Sequence, residues 1–229
     1  MKALQFAFRQ TIPVLCGYLF LGMAYGILLQ NAGFGVLWAF ATSLFIYAGS
    51  MQFVLVGFFT SGISMLSVAF TTLSVNSRHI FYGLSFIEKF KQMGKLRPYM
   101  ISSLTDETYS LLCGTKIPED CEENKVFFLI SLLDHSYWVT GSVIGSLLGE
   151  IIPFDTTGID FSMTALFVVI FTEQWFSSRT HIPALIGLLC GGLCLLLLSA
   201  DKFLLPALIL TVAFLIFWKQ SSTRKETLL

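Results

Sequence analysis

Residues Val36–Phe59, VLWAFATSLFIYAGSMQFVLVGFF, run for 24 positions without a charged side chain. As a helix rising ~1.5 Å per residue, such a stretch can cross the ~30 Å hydrocarbon core of a bilayer, which takes ~20 apolar residues. Its reading decides the fold class, because the same pattern recurs on both sides of it. Ile12–Leu29 precedes it, and Ile63–Phe86, Val126–Leu148, Phe161–Phe176, Ile182–Leu198 and Phe203–Trp218 follow. Phe161–Phe176 is short and needs borrowed flanking residues or a thinned bilayer. An eighth stretch, Met100–Cys113, is weaker. It carries Asp106 and Glu107 among Ser102, Ser103, Thr105, Thr108 and Ser110. That is too polar for a lipid-facing span, and it reads either as a helix shielded inside a bundle or as a re-entrant piece.

The pattern predicts an all-α, polytopic membrane helical bundle of seven to eight transmembrane helices. The whole chain, 1-229, reads as a single transmembrane domain. Its parts are a first half (1-87), a basic loop and polar helix (88-125) and a second half (126-229). Composition agrees. Apolar residues make up 55% of the chain, charged residues only 12%, and mean hydropathy is +0.77. A water-soluble domain carries about 25% charged residues, and a body of this size cannot hide so much apolar surface from water. In lipid, apolar side chains face outward at no cost.

Net charge is zero, so nothing points to a nucleic-acid partner. Cys16, Cys113, Cys121, Cys190 and Cys194 form no CxxC pair and read as small membrane-embedded hydrophobes rather than a metal or redox site. HExxH, GxSxG and Walker A motifs are absent from the sequence, so neither an enzyme nor nucleotide-driven pumping is expected of this chain, and no cofactor or metal.

Loop charges orient the bundle. Lys89, Lys91, Lys95 and Arg97 lie in the 88–98 loop, and Lys219, Arg224 and Lys225 in the tail. The positive-inside rule places both in the cytoplasm, and the acidic loop Glu150–Asp160 outside. Seven spans satisfy all three placements with the N-terminus outside. Eight spans bring both termini to one side but send the basic loop outward, while Lys2 and Arg9 favour a cytoplasmic N-terminus. Seven crossings plus a buried weak helix is the reading adopted.

Polar groups inside apolar stretches are costly, roughly 2.5–3.5 kcal/mol for a charge on insertion scales, and so face a partner or a cavity. Gly49-Ser50-Met51-Gln52 interrupts the stretch quoted above. A local helix break there would expose N–H groups able to bind a carboxylate; the alternative is close packing through Gly49 and Ser50, with Gln52 bonded to a neighbour. Asn76-Ser77-Arg78-His79 follows. Arg78 lies ~15 Å along the helix from Glu88, deep enough to pair with an anionic substrate or an internal carboxylate, or else to form a structural ion pair. Asp106 and Glu107 point ~100° apart on a helix, so they cannot share one partner. One can pair with Arg78 while the other meets a cation or carries a proton, unless both are solvated. Asp134 and His135, followed by Trp138, form a further candidate for proton coupling.

An internal echo aligns Tyr47-Ala-Gly-Ser-Met-Gln-Phe53 with Phe161-Ser-Met-Thr-Ala-Leu-Phe167. Each follows a glycine-spaced helix, Gly22-x3-Gly26 and Gly141-x3-Gly145-x3-Gly149. Such spacing lets helices approach closely in lipid. If the weak stretch does not cross, the halves form an inverted repeat, the architecture of many secondary transporters.

Taken in order, Gly22-x3-Gly26, Tyr47–Phe53, Asn76-x-Arg78-His79, Thr105-Asp106-Glu107, Trp138-x2-Gly141-x3-Gly145 and Gly158-Ile-Asp-Phe161 resemble the AzlC family, the large subunit of bacterial branched-chain amino-acid exporters. The resemblance covers nearly the whole chain. Where that family usually has Phe and often Ser, this chain has Tyr47 and Met51. The resemblance implies export of Leu, Ile, Val and Met with a small AzlD-type membrane subunit. The polarity argument adds the site: Gly49, Ser50, Gln52, Asn76, Arg78, Asp106 and Glu107 for a small hydrophobic amino acid, and Asp106, Glu107 and Asp134 for protons. The competing readings are a channel or permease subunit for another solute, and a structural subunit whose partner holds the site.

Overall fold

The computed structural model describes residues 2–62, 64–151, 161, 165, 168, 171–172, 175–176, 180–198 and 203–226. Every regular element among them is a helix. The chain divides into two compact units, Met1–Met163 and Thr164–Leu229.

The first unit is built on two long helices, α1 (Lys2–Asn31) and α7 (Glu123–Ile151). Both are long and apolar enough to cross a bilayer. They pack along their length because their glycines meet. Gly22 faces the backbone of Trp138–Ser142, Gly26 faces Ser142–Ser146, and Gly149 lies against Gln30. Residue numbers rise together along the two helices, so α1 and α7 run parallel. Small residues let the backbones touch, and in lipid such packing replaces the missing hydrophobic drive.

Val36–Phe59 is not one span. It forms α2 (Val36–Phe45) and α3 (Gly49–Ser61), with Tyr47 between them at φ 42. Phe59 lies 4.6 Å from Phe34 and 5.7 Å from Trp38, ring centre to ring centre. In a continuous helix residues 38 and 59 would stand ~30 Å apart. The two short helices therefore fold back on each other as a hairpin. α2 is about 15 Å long, half a hydrocarbon core, so the expected crossing becomes a re-entrant element. The break falls beside Gly49 and Ser50, which weaken the helix.

Met100–Cys113 also breaks, into α5 (Arg97–Ser102) and α6 (Asp106–Gly114), after α4 (Met65–Lys91) and a 3-10 turn at Gly94–Leu96. On α5, Tyr99 reaches the Ser131 carbonyl and His135; on α6, Thr108 reaches Asp134. Both arms thus lie against the same turns of α7. The tip, at Thr105, meets Tyr18 midway along α1, and fifteen residues later Asp120 bonds Lys2 at the start of α1. Of the two readings of the weak stretch, the shielded helix and the re-entrant piece, this is the second.

These hairpins enter from opposite ends. α2–α3 descends from the Asn31 end of α1. α5–α6 rises from the end where Lys2 meets Asp120 and Lys89 meets Glu123. Lys2 and the basic loop therefore share one end of the first unit, where an N-terminus outside and a basic loop inside were expected to lie apart. The physical reason is parity: with two re-entrant stretches, α4 alone carries the chain back between α1 and α7. The same parity makes α1 and α7 parallel, not opposed as an inverted repeat of 1-87 and 126-229 requires. The inversion lies instead between 2–61 and 65–114, each a long helix followed by a re-entrant hairpin, entering from opposite ends.

Beside two buried apolar clusters, polar side chains are also gathered in the interior. Thr11, Ser43, Gln52, Thr108, Ser131, Asp134, Ser142 and Ser146 are fully buried, while Phe20, Leu37, Phe45 and Met65 are mostly exposed. Polar groups are gathered where protein satisfies them and apolar groups left where only lipid can.

In the second unit α8 (Ile182–Leu197) packs against α9 (Leu204–Glu226), and Trp175 stacks on His181 at 4.0 Å. Most of the 161–167 half of the echo, residues 152–160 of the acidic loop and the Gly158–Asp160 part of the last motif lie outside the described residues.

Candidate functional site

The two hairpin tips meet beside α4. Arg78 forms an ion pair with Asp106, the first residue of α6, and its Nη2 donates to Ser50 Oγ at 2.5 Å in the first turn of α3. One guanidinium thus joins the N-terminal ends of two half-length helices. Arg suits this place because its planar fork presents several donors in fixed directions. The side chains of Arg78 and Asp106 are 26% and 14% exposed, so the pair sits in a largely enclosed site.

Each tip is held from below. Gly49 rests on the Trp138 ring, where a Cβ would come within 3.3 Å. Trp138 Nε1 donates to Gln52 Oε1 at 2.8 Å, and the same oxygen accepts from the Ala48 N–H at 3.3 Å. Gln52 Nε2 donates to Ser43 Oγ at 3.1 Å, and that hydroxyl donates to Ser142 Oγ at 2.8 Å. Ala48 offers no side-chain cap to α3, which leaves the first-turn N–H groups at the tip for another acceptor. In α6 the cap is Thr105, whose Oγ1 accepts from the Thr108 N–H at 3.3 Å. The acidic Asp106 and Glu107 occupy its first turn, at the positive end of the helix dipole.

The two adjacent carboxylates have separate partners, as their 100° separation requires. Asp106 takes Arg78; Glu107 Oε2 accepts from the Tyr18 hydroxyl at 2.8 Å. Tyr18 also contacts Thr105 Oγ1 at 2.6 Å, Thr105 donates to Thr108 Oγ1 at 3.1 Å, and Thr108 donates to Asp134 Oδ2 at 2.8 Å. Asp134 is fully buried and its Oδ1 has no hydrogen-bond partner among the described residues. Tyr47 stacks on His135 at 4.1 Å. Its hydroxyl is buried, with Tyr18, Thr108, Asp134 and Glu107 around it.

Gly49, Ser50, Arg78, Asp106 and Glu107 are therefore gathered at one place, and Asp134 is linked to them through hydroxyls. Gln52 stands behind the tip, fully buried, with both polar atoms bonded inside the protein. Asn76 lies two residues before Arg78, about 200° round the helix, and is not brought to the cluster; its Oδ1 has no partner among the described residues. Tyr18, Tyr47 and Thr108 join the cluster although none of them was expected to have a role there. Their one legible signal was a polar group in or beside an apolar stretch.

A family model described as AzlC protein matches residues 13–152, a range that holds every residue of this cluster. The branched-chain amino acid transport protein AzlC of Bacillus subtilis is 38% identical over 98% of this chain and 88% of its own length. An uncharacterized membrane protein of Haemophilus influenzae is 42% identical over 91% of this chain and 86% of its own. The inner membrane protein YgaZ of Escherichia coli is 27% identical over 80% of this chain and 78% of its own. No solved structure matches the chain.

Proposed function

The chain belongs to the AzlC family, and on that premise we propose that it carries the branched-chain amino acids Leu, Ile and Val, and with them Met, out of the cell across the bacterial cytoplasmic membrane. Transport is coupled to protons, and a small AzlD-type membrane subunit completes the carrier. α1, α4 and α7 cross the bilayer with the Lys2 end and the basic loop in the cytoplasm.

The observation that carries this reading is the meeting of two half-length helices at Arg78. Discontinuous helices whose N-terminal ends face a midplane site are how many secondary transporters hold anionic substrate groups. The substrate is a zwitterion with an apolar side chain. Its carboxylate meets Arg78, Ser50 and the N–H groups at Gly49; its ammonium meets Glu107, while Asp106 stays paired with Arg78 at the same site. Asn76 binds the same substrate when the helices rearrange, and Gln52 keeps the tip of α3 in place. Apolar lining separates substrates that differ by one methylene by only ~1–3 kcal/mol, so related amino acids share the carrier.

Uptake of radiolabelled leucine, alanine and glutamate into proteoliposomes, with and without the small subunit and under an imposed pH gradient, tests the proposal. Saturable leucine flux that follows the gradient supports it. Flux of glutamate or alanine in preference to leucine, or no flux with the subunit present, refutes it.

A further inference from the structure

Four oxygen–oxygen contacts run end to end from Glu107 to Asp134: Glu107 to Tyr18, Tyr18 to Thr105, Thr105 to Thr108, and Thr108 to Asp134. They measure 2.8, 2.6, 3.1 and 2.8 Å, all within the ~2.6–3.2 Å reach of a hydrogen bond between heavy atoms, with Thr105–Thr108 at its long end. Each needs one hydrogen between its two oxygens. A hydroxyl carries one hydrogen, so Tyr18, Thr105 and Thr108 supply three for four contacts. The Thr108 N–H also reaches Thr105 Oγ1, but it fills a lone pair and adds no hydrogen between the linked oxygens. With both carboxyls ionised, one contact in a buried site would be two oxygens facing each other with nothing between them.

From this shortfall we infer that Glu107 and Asp134 hold one proton between them, and that Tyr18, Thr105 and Thr108 are the relay along which it passes. With the proton on Glu107, donation runs from Glu107 to Tyr18, Thr105, Thr108 and the Asp134 carboxylate. With the proton on Asp134, every bond points the other way. In the transfer, one O–H bond breaks at Glu107 and one forms at Asp134. Each hydroxyl loses one hydrogen and gains one. The negative charge ends on Glu107, and both arrangements leave all four contacts filled.

This inference rests on the carrier reading and deepens it. A substrate ammonium arriving beside Glu107 favours the ionised carboxylate there and drives the proton to Asp134; its departure reverses the transfer. The groups facing the relay fit this assignment. Arg78 and Asp106 stand beside Glu107 and are paired with each other, and Tyr82 of α4 faces the Asp106 carboxyl, with Glu107 further off. Tyr47 lies near both carboxyls, and Tyr99 and Tyr137 near Asp134. None of these phenols supplies a hydrogen to any of the four contacts.

Two measurements test it. Infrared spectroscopy of the purified wild-type protein at neutral pH should show the carbonyl stretch of a protonated carboxyl, lost in the Glu107→Gln/Asp134→Asn double variant. No such band in the wild type, or a band unchanged in the double variant, overturns the shared proton. In proteoliposomes, Thr108→Val should lose leucine accumulation driven by a pH gradient while leucine–leucine exchange persists, and Thr108→Ser, which keeps the hydroxyl, should restore it. Gradient-driven accumulation at the wild-type level in Thr108→Val overturns the relay. Absence of leucine flux in the wild type would instead sink the carrier reading and leave the infrared band to decide the proton. The band also decides if Thr108→Val does not fold.

Discussion

A Cβ placed on Gly26 of α1 would lie 2.1 Å from the carbonyl oxygen of Ser142 on α7. No side chain fits there, and the obstacle is backbone, which cannot rotate away. Gly145 makes the reciprocal approach, with the Met23 carbonyl oxygen at 2.1 Å from its built Cβ. The two long helices that frame the site are in register through these contacts.

Gly26→Val should therefore force α1 and α7 apart. Overpacking a well-packed interior costs typically 1–3 kcal/mol, and here the strain falls on two backbones, so the upper end applies. Thermal unfolding of the purified variant should show a clear loss of stability. The same substitution at Gly17, where a Cβ meets nothing within 4 Å, should be tolerated; equal effects at both positions would show that the close approach is not what matters.

Arg78 is asked to join two tips at once. Arg78→Lys keeps the charge but offers a point donor in place of a fork, and leucine flux should fall sharply while the protein still folds. Arg78→Gln leaves the Asp106 carboxylate without its ion pair, at a cost of about 1.5–3 kcal/mol. Adding Asp106→Asn should recover stability without recovering flux. Full flux in Arg78→Lys would reduce the residue to a simple counter-charge.

Gln52 carries three hydrogen bonds in a fully buried place. Gln52→Leu has a similar volume but strands the Trp138 indole N–H. Leaving a buried donor unsatisfied costs about 1–3 kcal/mol, and the tip of α3 should loosen. Hydrogen exchange at 46–52 should quicken in this variant; unchanged exchange there would mean that packing on Trp138 alone holds the tip.

The two hairpins make opposite topological demands. In a background lacking the native cysteines, Lys95→Cys and Lys116→Cys flank α5–α6 and should react with a membrane-impermeant thiol reagent from the cytoplasmic side. Asn31→Cys, before α2, and Thr60→Cys, in the last turn of α3, should react from outside. Labelling of Asn31→Cys and Thr60→Cys from opposite sides would restore Val36–Phe59 as a full crossing.

The sequence by itself determined the solvent and the class. A chain with 55% apolar and 12% charged residues can fold only where lipid takes the apolar surface, and runs of this length there must be helical. It also located the polar clusters, because a charge at Arg78, Asp106 or Asp134 is intolerable in lipid without a partner, and the ordered motifs pointed to the AzlC family. Tertiary structure alone decided where the chain turns back. A 24-residue apolar run is compatible with one crossing or with two half-length helices, since hydropathy records the surroundings of a segment and not its direction. The choice was made by contacts far apart in sequence: Gln52 with Trp138, Phe59 with Trp38, Arg78 with both tips. Tyr18 joined the site for the same reason. Nothing local distinguishes it from another aromatic side chain in an apolar helix; only the parallel packing of α1 on α7 brings its hydroxyl between Glu107 and Thr105.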